Sequence, residues 1–197
     1  MSVESPPARK LRADGLRNRE RVLEAAKAGF AETGSEVSLE EIARRAGVGI
    51  GTLYRHFPTR DAVVAAVYRR EVQQLAEGAP RLLAELPPVQ ALHAWLRMFV
   101  DYIATKKVIA QALGGMVGGA ELYAASGVQI TNAISLLVDR AVASGQIRGD
   151  AESGDLLRAL VGFTYGSGAP DWQASALRLI DILMDGLRPP PVEVRHL

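Results

Sequence analysis

Ser38 to Phe57 reads SLEEIARRAGVGIGTLYRHF, two short amphipathic segments on either side of a glycine-bearing turn. Ser38 with Glu41 forms a capping box, and Leu39, Ile42, Ala43 and Ala46 then recur at the i, i+3, i+4, i+7 spacing of one helix face. Gly47 ends this helix, Val48 and Gly49 make a tight turn, and a second short helix runs from about Ile50 until Pro58 forces the chain out. That is the spacing of a helix-turn-helix. Small side chains at Ala43 and Gly47 let the helices approach, Val48 fills the corner, and Leu53 and Phe57 must pack against Ile42, Ala43 and Ala46. With Leu53 and Phe57 turned inward, Thr52, Arg55 and His56 share the opposite face, the one that can enter a major groove.

Upstream, Leu16, Leu23, Ala26 and Phe30 recur at helical spacing until Thr33-Gly34 supplies a stop. Before them, Met1 to about Ala13 is expected to form a weakly ordered basic arm; between Met1 and Arg21 stand Arg9, Lys10, Arg12, Arg17, Arg19 and Arg21 against Glu4, Asp14 and Glu20. Downstream, Thr59 and Asp61 cap a fourth helix through Val63, Val64, Val67 and Tyr68 to roughly Gly78. Leu92, Trp95, Leu96, Phe99 and Ile103 make the next amphipathic stretch, and Ile130, Ile134, Leu137 and Ala141 another that stops at Gly145. The intervening GGMVGG of 114–119 lacks the phosphate-loop spacing and follows no strand-like run, so it reads as a flexible or kinked connection. Leu156, Leu157, Leu160, Val161 and Phe163 form one further helix. Trp172, Ala176, Leu179, Leu183 and Leu187 form the last, opening near Pro170 and closed by Pro189 to Pro191. No segment alternates with period two. The expectation is an all-α chain of about nine or ten helices, divided into an arm (1–13), a three-helix DNA-binding domain (14–60), a second helical domain (61–188) and a tail (189–197).

Composition narrows the chemistry. A net charge of +1 over 197 residues rules out indiscriminate polyanion binding, so any nucleic-acid affinity must come from local arrangement. The absence of cysteine excludes disulfides and thiolate zinc sites, and His56, His93 and His196 are too far apart to form a metal motif; neither metal nor cofactor is expected. Without a secretory signal or an apolar run of membrane length, the chain reads as soluble and cytoplasmic. The rival reading is a helical small-molecule-binding protein or enzyme without a DNA-binding role. It finds no nucleophile elbow, no His-Glu metal pair and no catalytically spaced acid pair, and no enzymatic activity is expected.

The run from Val37 to Val64, with its LYRHFPTRDAVV, resembles the DNA-binding signature of the tetracycline-repressor-type (TetR) regulators, and the likeness covers roughly Arg17 to Tyr68. The stretch Leu82 to Leu113, with AWLRMFVDYIATKK, is similar to one ligand-domain subgroup of that family. The resemblance implies a homodimeric transcription regulator, by the family's default a repressor, that binds a pseudo-palindromic operator and leaves it when a small molecule binds. It implies that Thr52 and Arg55 approach base edges beside Gly51. Tyr54, His56 and the backbone amides near Thr59 and Arg60 would hold phosphates, with Ser38 and Arg45 also near the DNA backbone. The chemistry agrees, since Arg55 can donate a bidentate pair to guanine and Thr52 offers a hydroxyl and a methyl. Tyr54 can equally be a packing residue and His56 a helix-surface group. The chain departs from many family members at Gly49 and Ile50, where a polar residue is common: Gly49 caps only through its backbone, and Ile50 either meets a thymine methyl or packs inward.

For the second domain the resemblance implies an effector pocket among Trp95, Met98, Phe99, Tyr102, Met116, Tyr123, Gln129, Asn132, Phe163, Tyr165 and Trp172, each of which could instead be core. It also implies a four-helix dimer interface built from Leu156, Leu160, Phe163, Trp172, Leu179, Leu183 and Leu187. Asp101 and Lys106 are read as lying on a solvated face.

Overall fold

The computed structural model describes residues 7–166 and 170–189, all helix, turn or irregular chain without a strand among them. Eight α-helices follow one another: α1 (Pro7–Thr33), α2 (Leu39–Ala46), α3 (Ile50–His56), α4 (Arg60–Glu85), α5 (Pro88–Gly115), α6 (Gly119–Ala143), α7 (Ser153–Tyr165) and α8 (Trp172–Gly186), with a 3-10 turn at Gly34–Glu36. The all-α expectation holds. The helix count is lower than expected because potential breakers sit inside long helices: α4 passes through Pro80, and α6 runs unbroken through Gly127. A proline removes one helical hydrogen bond, and here the apolar face leading up to it, Leu75 and Ala79, is buried, with Leu82 and Leu83 half-buried beyond it.

α1 begins at Pro7, earlier than the sequence pattern suggested, so the second half of the proposed arm is helical. Residues 1–6, the side chains of Arg9, Lys10 and Arg12, and the tail beyond Pro189 lie outside what is described.

The chain divides into two compact units. One comprises the residues up to Arg70 together with Thr105–Gly119, and the other Glu71–Ala104 with the residues from Ala120 onward. In the first, α1 packs on α2 and α3, and α2 on α3. Val22, Leu23, Ala26 and Phe30 of α1, Ile42, Ala43 and Ala46 of α2, Leu53 of α3 and Phe57 behind it are all buried. These are the apolar positions that the spacing assigned to the helices, with Val22 added and two exceptions: Leu16 is 67% exposed and Leu39 is half-buried. α4 contributes Val63, Val64 and Val67 to this unit, and the end of α5 contributes Ile109 and Leu113. Arg70 of α4 pairs with Glu24 and, at 3.6 Å, with Glu20 of α1.

In the second unit α7 packs on α8. Its core is built from Leu75 and Ala79, from Leu92, Trp95, Leu96 and Phe99, and from Ile130, Ile134, Leu137, Leu156, Leu160 and Ile180. Trp95 Nε1 donates to the Leu75 carbonyl at 2.8 Å, which satisfies the one polar group that this large buried ring carries.

The 114–119 segment is a tight turn and not a tether. Only Met116 to Gly118 separate α5 from α6. Met116 N donates to Leu113 O at 3.3 Å, and Gly119 N donates to Met116 O at 3.2 Å. A Cβ at Gly119 would stand 2.3 Å from the Leu113 carbonyl oxygen, so the turn closes only with glycine there. Val117, at its apex, is fully exposed.

Candidate nucleic-acid interface

α2 starts as its capping box dictates. Ser38 has extended backbone, and its Oγ accepts from the Glu41 amide at 3.1 Å. It ends in a Schellman arrangement: Gly47 N donates to Arg44 O at 3.1 Å, Val48 N donates to Ala43 O at 3.0 Å, and Gly47 sits at φ 60°, ψ 38° in the left-handed region. Gly49 is the N-cap of α3 through its backbone alone, its carbonyl accepting from the Thr52 and Leu53 amides.

α3 is short, and Leu53, 0% exposed, is its one buried residue. Fixing Leu53 inward fixes which way the other side chains of the helix face. Tyr54 (44% exposed) and Arg55 face solvent, Gly51 is exposed, and Thr52 and His56 are half-buried. Among the described residues Arg55 has no hydrogen-bond or ion-pair partner, so its guanidinium is uncommitted. Ile50 is 39% exposed, which resolves its two readings in favour of the outward one. His56 lies near α1, its Cε1 3.9 Å from where a Cβ on Gly15 would stand, with its ring centroid 6.3 Å from that of Phe57.

Thr59 precedes α4, and its Oγ1 accepts from the Ala62 amide at 3.1 Å, leaving the amides of Arg60 and Asp61 at the bare end of the helix. The side chain of Arg60 turns inward, where Nη1 donates to the Val37 carbonyl at 2.7 Å. It is the backbone amide of Arg60, and not its guanidinium, that is left at the start of α4.

Arg45 is engaged elsewhere. Its Nε donates to Glu41 and its Nη1 to Glu32, each at 2.6 Å, while Glu41 also accepts two bonds from Arg44 at 2.7 Å. The guanidinium groups of Arg44 and Arg45, by hydrogen bonding and charge, hold the Glu41 carboxyl at a pKa of about 2. No feature of the sequence foretold that Arg45 would tie α2 to α1, because Glu32 is brought to it only by the packing of those helices.

In the second unit the expected pocket residues separate. Trp95, Phe99 and Tyr102 are buried in a row along α5, with successive ring centroids 5.9 and 5.6 Å apart. Met98 is half-buried against Gly78, Tyr123, Phe163 and Trp172 are half-buried, and Gln129, Asn132 and Tyr165 are exposed. Met116 belongs to the other unit. An open cavity of about 670 Å³ lies among different residues, with Val89, His93, Ile147, Asp181, Met184 and Arg188 in its lining. His93 Nε2 and Asp181 Oδ1 stand 2.7 Å apart at its rim. Asp101 is exposed; Lys106 is half-buried, and burial pushes its ammonium pKa down.

Of the seven residues expected at a dimer interface, Leu156, Leu160 and Leu187 are buried within the chain's own core, Phe163, Trp172 and Leu183 are half-buried, and Leu179 is exposed. The large apolar side chains that α7 and α8 leave in solvent are Val161, Tyr165, Leu179 and Ile182. Periodicity marked both helices as apolar but could not say which apolar stripe each turns inward. Among the described residues no helix is long and apolar enough to cross a membrane.

A three-helix unit that seats a short, uncommitted polar helix on one leucine, beside the bare N-terminus of the next helix, defines a helix-turn-helix transcription regulator. Residues 22–67 match the family model described as bacterial regulatory proteins, tetR family, and residues 87–189 match that of the SbtR-like transcriptional regulator C-terminal domain. The chain belongs to the TetR family of transcriptional regulators.

A solved TetR transcriptional regulator from Streptomyces coelicolor is 48% identical, over 87% of this chain and 99% of that one, with a TM-score of 0.80. A TetR transcription regulatory protein from Mycobacterium vanbaalenii is 35% identical over 90% and 99% of the two chains, with a TM-score of 0.76. An HTH-type transcriptional regulator of Staphylococcus aureus is 40% identical over 63 residues, 32% of this chain, and the match spans only 34% of that relative's length.

Proposed function

We propose that two copies of this chain bind a pseudo-palindromic operator in the cytoplasm, repress transcription there, and release the DNA when a small molecule binds the second unit. The protein acts by binding, without a catalytic step. The observation that carries the reading is the seating of α3: Leu53 is buried, and Arg55 stands exposed with no partner among the described residues. Arg55 and Thr52 read base edges, Gly51 lets the duplex come close, and Ile50 meets a thymine methyl. Ser38, Tyr54, His56 and the amides of Thr59 and Arg60 hold phosphates. Arg45 is left out of this set, because it would reach a phosphate only by giving up Glu32 and Glu41.

The partner copy is proposed to cover Val161, Tyr165, Leu179 and Ile182, which would pair α7 and α8 into a four-helix interface. Two recognition helices would then meet successive major grooves roughly 34 Å apart. An effector that binds better to a dimer with the wrong spacing weakens DNA affinity by its differential binding energy. Selection of bound sequences from random duplex DNA, followed by a screen for compounds that release the protein from the selected site, tests the reading. A wild-type chain that enriches no sequence would overturn it.

A further inference from the structure

Resting on that reading of α3, we propose that Arg19 and Arg21 of α1 are positioning residues for base readout, which fix the tilt of the recognition helix without touching DNA. The two arginines meet the helix-turn-helix at the points that bracket α3. Arg21 Nη2 donates to the Gly47 carbonyl at 3.3 Å and lies over that residue so closely that a Cβ on Gly47 would stand 2.5 Å from it. Gly47 closes α2 just before the turn into α3. The Arg19 guanidinium sits 5.4 Å from the centroid of the Phe57 ring, and Phe57 is the residue that caps the far end of α3. Two residues apart on a helix of ~3.6 residues per turn, the arginines leave α1 on nearly opposite sides and so reach opposite ends of the motif.

The mechanical need for such stops follows from how α3 is held. Its seven residues span ~10 Å, and Leu53 alone among them is buried. One buried side chain near the middle of a short rod is a pivot: it fixes which face points inward and leaves the rod free to rock. Gly47 and Phe57 are the places where rocking is stopped, and at each place α1 supplies an arginine. Neither contact is a large contributor to folding, since Arg21 is exposed and the Arg19 side chain is 41% exposed, while Val22, Leu23, Ala26, Ile42 and Ala46 form the buried core beneath. Base readout demands placement to ~0.5 Å, far tighter than folding does.

The test compares Arg19→Ala, Arg21→Ala, Arg19→Lys and Arg21→Lys with wild type. Each is titrated against the selected operator and against a scrambled duplex of equal length over a salt series, with thermal melting alongside. In both alanine variants the ratio of operator to scrambled affinity is expected to fall by about tenfold, the discrimination of one well-placed base contact. Scrambled-duplex affinity, the slope of log K against log salt and the melting temperature stay at their wild-type values, and Arg19→Lys, which keeps a cation over Phe57, recovers the ratio. Equal losses on both duplexes with a shallower salt slope would make the arginines phosphate contacts and overturn the proposal. So would an unchanged ratio, or a ratio that falls only in step with the melting temperature. A wild-type chain with no preferred sequence removes the reading of α3 itself and is recognised before any variant is made.

Discussion

The indole of Trp95 on α5 donates its single N–H to the carbonyl of Leu75 on α4, at 2.8 Å, one turn ahead of the proline at position 80. Two long helices are thereby joined by a buried polar contact. Trp95→Phe keeps an aromatic ring but loses the donor and part of the volume, and should cost roughly 1–3 kcal/mol. Urea unfolding followed by far-ultraviolet circular dichroism measures it, and a loss below a few tenths would show that the contact is incidental.

The Glu41 carboxylate, shared by Arg44 and Arg45, gives stability a specific acid dependence. Its pKa in the folded chain is about 2, below the ordinary value of 4.5. The folded state therefore prefers the ionised form. The stabilisation is fully present above pH 4.5 and disappears as the pH falls through about 2. Melting temperatures of wild type and Glu41→Gln, measured across this range, should differ at neutral pH and converge towards pH 2. High salt should narrow the gap at every pH, because the ion pairs lie at the surface.

Leu53 and Arg55 are near neighbours on α3 and should fail in opposite ways. Leu53→Ala removes the only buried side chain of its helix and is expected to cost ~2–5 kcal/mol of stability. Arg55→Ala should leave stability within about 0.5 kcal/mol while costing about 1–3 kcal/mol at one base pair of each half-site. Chemical denaturation and a panel of single-base operator variants separate the two. Uniform weakening over the whole panel would mean that Arg55 holds a phosphate instead of reading a base.

Ile182 is 66% exposed on α8, among the apolar side chains proposed to meet the partner copy. Ile182→Asp places a charge there that cannot be buried unpaired, so sedimentation velocity should show a shift from dimer towards monomer. Thermal unfolding of the separated chain should remain cooperative. A variant that stays dimeric would move the interface to another face.

Much of the first unit was legible because its signals are local. Ser38, Glu41 and Gly47 each act within a turn or so of their own position, and the packing of Ile42, Ala46, Leu53 and Phe57 follows from spacing alone. The partners of Arg45, Arg60, Arg19 and Arg21 were not legible, because each is set by which helices pack together and not by neighbouring residues. The second unit was harder for a different reason. α7 and α8 carry apolar residues on more than one side, so Leu156 and Val161 looked alike in the sequence although the first is buried and the second is not. Pro80 and Gly127 have the chemistry of helix breakers, and their helices survive because the surrounding apolar face outweighs one lost hydrogen bond or a modest entropic penalty.

The turn between α5 and α6 has a practical use. Val117 projects from a link so short, and so tightly closed at Gly119, that it has little room to swing by itself. The chain contains no cysteine, so Val117→Cys would create its sole thiol, and a fluorophore attached there would carry no background label. Its polarisation would follow the helices on either side, giving an optical readout of their movement before any effector has been identified.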